Sequence, residues 1–256
     1  MKDTIALSVL MPVYNAERFL REAIDSILGQ TYFNFEFLIL NDGSTDSSSA
    51  IIDSYTDPRI KVVHAPKNQG LVRTLNKGID QCSGRYIVRM DADDISAPDR
   101  LEKQYRFMEE NPDIGVCGTS FWILNPDGTH RLHEHPVSHK DIVFSFFSKG
   151  CVIGHPTVIL RKSVLLESQL RYDTRFELAE DYALWSRLAR VTKFANLAEP
   201  LLSYRLHENQ ITKVYSKEQI GLTEKIRHSF LYSSMLTNPV ETLAYILKQK
   251  TKRLFG

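Results

Sequence analysis

Three carboxylates, Asp91, Asp93 and Asp94, lie within four consecutive positions directly after the strand-like residues 84–89. Carboxylates this close repel one another unless a cation lies between them. Hard oxygen ligands at the end of a strand suit Mg2+ or Mn2+, which commonly bind through one or two carboxylates together with the phosphates of a substrate. The alternative is a solvated acidic turn, and the motif taken alone leaves both interpretations open.

The elements that must position this cluster alternate between strand and helix. Residues 5–11 form a near-continuous apolar run that Pro12 ends, which is typical of a parallel strand buried on both faces. Residues 19–28 then place apolar side chains at helical spacing before Gly29. The same criteria predict strands at 35–40, 60–64, 85–90 and 114–117, and helices at 50–55, 71–79 and from Pro98 onwards. This alternation predicts an α/β fold with a doubly wound, mostly parallel sheet.

Polar residues follow three of these strands, at 12–15, 41–43 and 91–93. Ligands of such sheets bind beyond the carboxyl ends of the strands, so the three groups predict one site. The ring of Tyr14 could flank a nucleobase, and the Asp42 carboxylate could accept the imide N–H of uracil. Packing of Tyr14 and helix capping by the Asp42 loop are the alternatives.

The second half of the chain is less regular. It contains a predicted hairpin or loop at 122–136, an apolar strand at 152–160, a helix at 178–189, strands at 193–197 and 201–206, and helix after about 216. The 256 residues fit one large domain, or one domain with a small appendage. Because 32 basic and 31 acidic residues nearly cancel, no overall field indicates a nucleic-acid partner.

The cysteines and the apolar segments indicate a cytoplasmic protein. Cys82, Cys117 and Cys151 lack metal-binding spacing and are interpreted as reduced thiols. We find no signal peptide, and no apolar segment reaches the about 20 residues that a transmembrane helix needs.

The ordered motifs resemble those of family 2 glycosyltransferases with the GT-A fold, over roughly residues 5–210. Each motif is weak alone, whereas the ordered set is specific. The matching segments are VLMPVYNAE at 9–17, NDGSTD at 41–46, KNQG at 67–70, LNKGI at 75–79, GRYIVRMDADD at 84–94, HPTVILR at 155–161, AEDYALW at 179–185 and YRLH at 204–207.

The resemblance implies a site for a nucleotide-diphosphate sugar, with a UDP-sugar favoured. The residues it assigns to the donor are Pro12, Tyr14, Asn15, Glu17, Asp42, Asn68, Gly70, Arg73, Asn76, Asp91 and Ala92. The family usually has two aspartates where this chain has Asn41 and Asp42. This difference leaves open whether the nucleoside of the donor is uridine, thymidine or guanosine. Arg73 near a helix start also suits phosphate, although an exposed arginine is usually just solvated.

The resemblance also implies a metal site and a catalytic pair. Asp93 would ligate the metal, Asp91 would bind ribose or assist, and His207, 26 residues after Asp181, would complete the site and favour Mn2+ over Mg2+. Asp181 would be the general base of an inverting transfer, and Glu180 would orient the acceptor or tune Asp181. His155 would line the acceptor pocket. A lone histidine, and acidic residues in a first helical turn, also have ordinary structural explanations.

The implied acceptor is a saccharide or a lipid-linked saccharide, as in bacterial cell-surface polysaccharide, lipopolysaccharide or capsule synthesis. A catalytically inactive nucleotide-sugar-binding subunit is the main alternative. A sugar nucleotidyltransferase is disfavoured because residues 12–17 lack the glycine-rich loop of those enzymes. A processive synthase is disfavoured because we find neither transmembrane segments nor a QxxRW motif.

The predicted domain organisation is a glycosyltransferase domain at 1–215, divided into a nucleotide-sugar half at about 1–118 and an acceptor half at about 119–215. A helical, basic extension at 216–256 follows. Its basic amphipathic end, with Leu243, Ile246 and Leu247 near four lysines and arginines, could contact the inner face of an anionic membrane. Packing of this helix on the catalytic domain is the alternative.

Overall fold

The computed structural model describes residues 5–208, 210 and 216–237. Within them the strands are β1 (Leu7–Val13), β2 (Phe35–Asn41), β3 (Ile60–His64), β4 (Tyr86–Arg89), β5 (Ile95–Ser96), β6 (Ile114–Leu124), β7 (His130–His133), β8 (Ile159–Arg161) and β9 (Lys193–Arg205). The helices are α1 (Leu20–Leu28), α2 (Ser48–Asp53), α3 (Leu71–Gln81), α4 (Arg100–Glu110), α5 (His139–Ser148), α6 (Lys162–Ser168), α7 (Glu180–Leu188) and α8 (Ser216–Thr237). Two 3-10 turns cover His155–Thr157 and Thr174–Phe176.

The described strands form one sheet in the order β3-β2-β1-β4-β8-β6-β9-β5, with β7 paired to β6. Strands β1 to β4 are parallel, and β9 is parallel to β6. Every antiparallel pair involves a strand later in the chain than β4, so the sheet as a whole is mixed. All residues of β1 and β2 are buried, because one apolar cluster lies on each face of the sheet. The predicted α/β fold is confirmed.

Pro12 lies inside β1 and does not end that strand, contrary to the prediction. The carbonyl of Leu10 accepts a hydrogen bond from Met90 beside β4, whereas that of Val13 accepts one from Asp42 beside β2. Because backbone groups alternate sides along a strand, Pro12 faces the β4 side, where pairing ends at Leu10. The missing N–H of Pro12 therefore removes no ladder hydrogen bond.

Two strands of the second half are longer than predicted. Strand β6 continues beyond residue 117 to Leu124, and the two predicted strands at 193–206 form the single strand β9. Register shifts between β6 and β9 accommodate Pro200, which stands opposite Ser120. The predicted hairpin is confirmed as β6 and β7, whereas the predicted strand at 152–160 is interrupted by the 3-10 turn and leaves only β8.

Helix α8 packs on α5 and α7, with Ile226 and Phe230 buried. The ring of Phe230 stacks on that of Phe147 with centroids 4.8 Å apart. Among the described helices, none is long and apolar enough to cross a membrane. The basic end with Leu243, Ile246 and Leu247 lies outside the described residues, so its membrane contact stays a prediction, as do the domain boundaries near 118 and 215.

Candidate functional site

The Asp42 carboxylate lies buried at the carboxyl end of β2 and holds the loop that precedes α3. Its Oδ1 accepts the backbone N–H of Gln69, and its Oδ2 accepts that of Gly70, each at 3.0 Å. The side chain of Asn68 accepts the same Gly70 N–H at 2.8 Å. A small cleft beside Asp42 is also lined by Arg73 and Lys77, so basic groups border this carboxylate. A nucleobase contact of Asp42 stays a prediction and would use its remaining lone pairs.

Gly43 allows the Asp42 loop and the 67–70 loop to meet. Its φ is +68°, and a Cβ at this position would lie 2.4 Å from the backbone carbon of Lys67. We expect Gly43→Ala to lower the free energy of unfolding by about 2–3 kcal/mol, because backbone strain and a backbone clash add. Urea denaturation measures this loss.

Gly128→Ala is the matched control, since Gly128 has a φ of +83° but no atom within 4 Å of a Cβ. Its free energy of unfolding should fall by only about 1 kcal/mol, because backbone strain is not joined by a clash. Equal losses in the two variants would contradict the close approach at Gly43.

The loop after β1 is tied to the loop after β2 by the side chains predicted to bind the donor. Asn15 Oδ1 accepts the backbone N–H of Thr45 at 2.8 Å, and Glu17 Oε2 accepts that of Ser47 at 2.9 Å. Tyr14 is 49% exposed, so its ring is accessible to a ligand. In this structure Asn15 and Glu17 fix the loop that presents Tyr14.

Asn76 lies on α3 and contacts the second half of the chain. Its amide nitrogen donates to the carbonyl of Tyr172 at 2.9 Å, and its amide oxygen accepts the Tyr172 N–H at 3.0 Å. Both polar atoms of Asn76 therefore anchor a segment of the second half to α3. Donor contact by Asn76 stays a prediction, and its observed partners are those of an anchor between the two halves of the site.

The acidic cluster is assembled as predicted at the end of β4. One carboxylate oxygen each from Asp91, Asp93 and Asp94 lies within 4.8 Å of the others, and Ala92 between them is buried. Burial, reinforced by the neighbouring carboxylates, raises the pKa of Asp94 well above its usual range. Burial also raises the pKa of Asp91, although Arg89 opposes this shift. Oδ2 of Asp94 is buried with no hydrogen-bond partner among the described residues. A divalent cation fits this donor set, because it would neutralise the mutual repulsion.

His207 reaches the cluster through Asp93. Its Nε2 lies 2.8 Å from Asp93 Oδ2, and its ring packs against Phe19 with centroids 5.2 Å apart. The group of three carboxylates does not include the imidazole, so His207 stands beside the candidate metal position. Ligation of a metal by His207 stays a prediction.

Three arginines around the acidic cluster were missed in the sequence. Buried Arg89 forms an ion pair with Asp91, and buried Arg100 donates to the Arg89 carbonyl at 2.8 Å. Burial lowers the pKa of Arg100 to about 9. The backbone N–H of Arg205 donates to Asp94 Oδ1 at 2.9 Å. The signal available was one charged residue, Arg89, in an otherwise apolar predicted strand.

The predicted catalytic pair begins α7 and is largely buried. Burial, followed by the neighbouring Asp181, raises the pKa of Glu180 to about 7, and burial also raises the pKa of Asp181. Oδ2 of Asp181 lies 3.9 Å from the sulfur of Cys151. His155 Nδ1 lies 3.7 Å from Glu180 Oε1, and His155 Nε2 lies 2.8 Å from the hydroxyl of Tyr172. Burial keeps the pKa of His155 well below its usual range, so this imidazole is neutral.

Arg89 connects the acidic cluster to the catalytic pair electrostatically. Its charge lowers the pKa values of Asp91, Glu180 and Asp181, in each case against a larger upward effect of burial. One buried cation therefore acts on Asp91, just after β4, and on the two carboxylates at the start of α7. Asp91 and the predicted catalytic pair thus share a common electrostatic environment.

Comparisons with known proteins agree with this fold. The family model described as glycosyl transferase family 2 matches residues 8–168. The O-antigen biosynthesis glycosyltransferase WbnJ of Escherichia coli is 33% identical over 252 residues, covering 96% of this chain and 97% of its own length. The chain belongs to glycosyl transferase family 2 and is therefore a glycosyltransferase.

Two solved structures share the fold. Staphylococcus aureus TarS in complex with UDP-GlcNAc gives a TM-score of 0.69 at 18% identity, over 91% of this chain and 74% of that one. The mannosyltransferase PcManGT of Pyrobaculum calidifontis, in complex with GDP-Man and Mn2+, gives a TM-score of 0.61 at 14% identity. The match covers 97% of this chain and 80% of that one. At these identities the likeness concerns the fold alone, and it confirms the expected GT-A type.

Proposed function

We propose that this enzyme is an inverting, metal-dependent glycosyltransferase that uses a nucleotide-diphosphate sugar, with a UDP-sugar favoured. The observation that carries the proposal is the acidic cluster at the end of β4, which shares buried Arg89 with the carboxylate pair at the start of α7. The acceptor is a hydroxyl of a saccharide or of a lipid-linked saccharide in cell-surface polysaccharide synthesis. The name of WbnJ, an O-antigen biosynthesis enzyme, supports that class of product.

On the donor side, Asp93, Asp91 and His207 would hold Mn2+ or Mg2+. Such a cation, when bound, offsets negative charge on the departing diphosphate. The imidazole favours Mn2+ over Mg2+, and the Mn2+ complex of a mannosyltransferase with the same fold supports this choice. Arg73, on the cleft beside Asp42, adds a guanidinium for phosphate oxygens.

We assign base selection to Asp42 and Tyr14, as the family resemblance implies, and we assign the ordering of their loop to Asn41. The amide nitrogen of Asn41 lies 3.0 Å from His64 Nδ1, and its amide oxygen accepts the N–H of Ser44 at 3.0 Å. The Asn41 amide thus orders the loop that presents Asp42. The nucleotides of the two solved complexes, UDP-GlcNAc and GDP-Man, make uridine and guanosine the first bases to test.

On the acceptor side, Asp181 takes a proton from the attacking hydroxyl as that oxygen bonds to the anomeric carbon opposite the nucleotide. A single in-line displacement of this kind inverts the configuration. Glu180 orients the acceptor or tunes Asp181, and neutral His155, held by the Tyr172 hydroxyl, orders the pocket around Glu180. The proposal includes a cytoplasmic location, with contact of the basic tail at the inner face of the membrane.

Thermal shift with Mn2+ and UDP, GDP, TDP or CMP tests the donor site. We expect one nucleotide to raise the melting temperature by about 5–10 °C at 100-fold excess over its Kd, because only the native state binds it. Asp93→Ala should abolish this shift, whereas Asp99→Ala, a nearby surface carboxylate paired with Lys103, should retain it.

Stabilisation that is equal in wild type and Asp93→Ala would contradict the metal assignment. The inactive-subunit alternative predicts the same shift without turnover of the matching sugar nucleotide. Sustained release of the nucleoside diphosphate in the presence of acceptor therefore excludes that alternative.

A further inference from the structure

Three rings from three strands, and a fourth that follows β7, meet at the open end of the β6–β7 hairpin. Phe121 of β6 stacks on His133 of β7 with centroids 4.8 Å apart and an interplanar angle of 24°. His135 lies 5.4 Å from Phe121 and 4.8 Å from His133, and Tyr204 of β9 lies 5.6 Å from Phe121. We call these four residues the aromatic cluster; each is partly exposed.

Two members of the aromatic cluster are connected to the candidate active site through a chain neighbour or a packing contact. Tyr204 directly precedes Arg205, whose Nε donates to the Asp93 carbonyl at 2.9 Å. Phe121 packs on Gly154, since a Cβ at position 154 would lie 3.1 Å from Phe121 Cε1, and the next residue is His155. Strands β6 and β9 end at the same edge of the sheet as β4, because antiparallel β8 separates β4 from β6. The rings therefore lie on the functional edge.

His135 carries a polar atom that the protein leaves unused. Its Nε2 is buried, and no group in the described part of the chain hydrogen-bonds to it. Burial, reinforced by the neighbouring His133, lowers the pKa of His135 to about 4, so the ring is neutral near pH 7. A buried polar atom without a partner costs free energy, which a hydroxyl of a ligand would offset.

We propose that Phe121, His133, His135 and Tyr204 form a subsite for one pyranose ring of the acceptor, with His135 Nε2 hydrogen-bonded to a sugar hydroxyl. This inference rests on the proposed function, because it assigns the acceptor of that transfer. A pyranose presents C–H groups on its faces and hydroxyls at its rim. Partly exposed rings beside one unsatisfied polar atom match that pattern, and neutral imidazoles do not select for an anion.

Saturation-transfer NMR with methyl glycosides of glucose, galactose, mannose and N-acetylglucosamine tests the subsite. Wild type should transfer saturation to at least one of them at millimolar concentration. His135→Phe keeps a ring but deletes Nε2, and should weaken binding about three- to tenfold, the effect of one hydrogen bond. Phe121→Leu keeps apolar volume but removes the ring face, and should weaken it further.

Trp122→Ala is the matched control. Trp122 is the exposed neighbour of Phe121 and pairs with Leu132 on the opposite face of the hairpin, so this variant should bind the glycoside like wild type. Melting temperatures without ligand check that each variant is folded. The nucleotide shift with Mn2+ should be unchanged in all three variants.

If the nucleotide shifts are unaltered but wild type binds no glycoside, the proposed subsite is wrong and the proposed donor site is still supported. Equal glycoside binding by wild type and His135→Phe would overturn the role of Nε2. A third outcome is that wild type binds a glycoside, His135→Phe and Phe121→Leu do not, and no nucleotide stabilises the protein. That result would support the subsite and count against the proposed donor.

Discussion

Asp181→Asn should reduce sugar transfer by about 10²–10⁴-fold, the usual contribution of a positioned general base. Asparagine keeps the size of the side chain but cannot take a proton from the acceptor hydroxyl. Nucleotide binding should be preserved, because none of the donor contacts proposed above lies on α7. Transfer of labelled sugar from the sugar nucleotide that stabilises the protein, to an acceptor fraction of the source cells, measures the loss.

Glu180→Gln is the matched control, since it changes the adjacent carboxylate of the same helix turn. Burial, followed by the charge of Asp181, raises the pKa of Glu180 to about 7, so Asp181 ionises while Glu180 is still protonated. Glutamine resembles that protonated form, so Glu180→Gln should keep most of the transfer activity at and below pH 7. Full activity of Asp181→Asn, or a loss in Glu180→Gln as deep as that expected for Asp181→Asn, would contradict the assignment of the base.

The sequence predicted the site best where strand order alone determines position. Asp42 and Asp91 follow apolar runs, and parallel strands bring their ends to one edge, so their shared edge followed from spacing. The first four strands were predicted within about two residues of their observed bounds. The prediction that Pro12 ends β1 was wrong because the pairing of β1 with β4 already stops at Leu10. The residues around Pro12 carry no information about where β4 ends.

The contacts that the sequence did not predict join residues far apart in the chain. Asn76 and Tyr172 are 96 residues apart. The proximity of His207 to Asp93, 114 residues away, was expected only from the family resemblance and not from local pattern. Such partners depend on how the second half of the chain pairs with the first, including the register shifts between β6 and β9. Burial of Arg89 has the same origin, because β8 covers β4 from a position about 70 residues later. The local sequence pattern predicts that Arg89 lies in a strand. Its burial follows only from the order of the strands in the sheet.

Arg89→Met should lower the free energy of unfolding by about 3 kcal/mol, because it leaves Asp91 partly buried without its ion-pair partner. The Arg89 side chain is 4% exposed and that of Asp91 is 27% exposed, so water can relieve only part of the loss. Methionine keeps the length and apolar volume of the arginine stem. Urea denaturation at neutral pH measures the change.

The double variant Arg89→Met/Asp91→Asn separates the ion pair from packing. Removing both charges of a buried pair is often nearly neutral, so the double variant should recover most of the stability that Arg89→Met loses. A double variant no more stable than the single one would show that Arg89 acts by packing. Arg89→Met should also raise the pKa values of Glu180 and Asp181, because the Arg89 charge now lowers both. The transfer rate of Arg89→Met should therefore rise at higher pH than that of wild type, an effect that loss of packing alone would not produce.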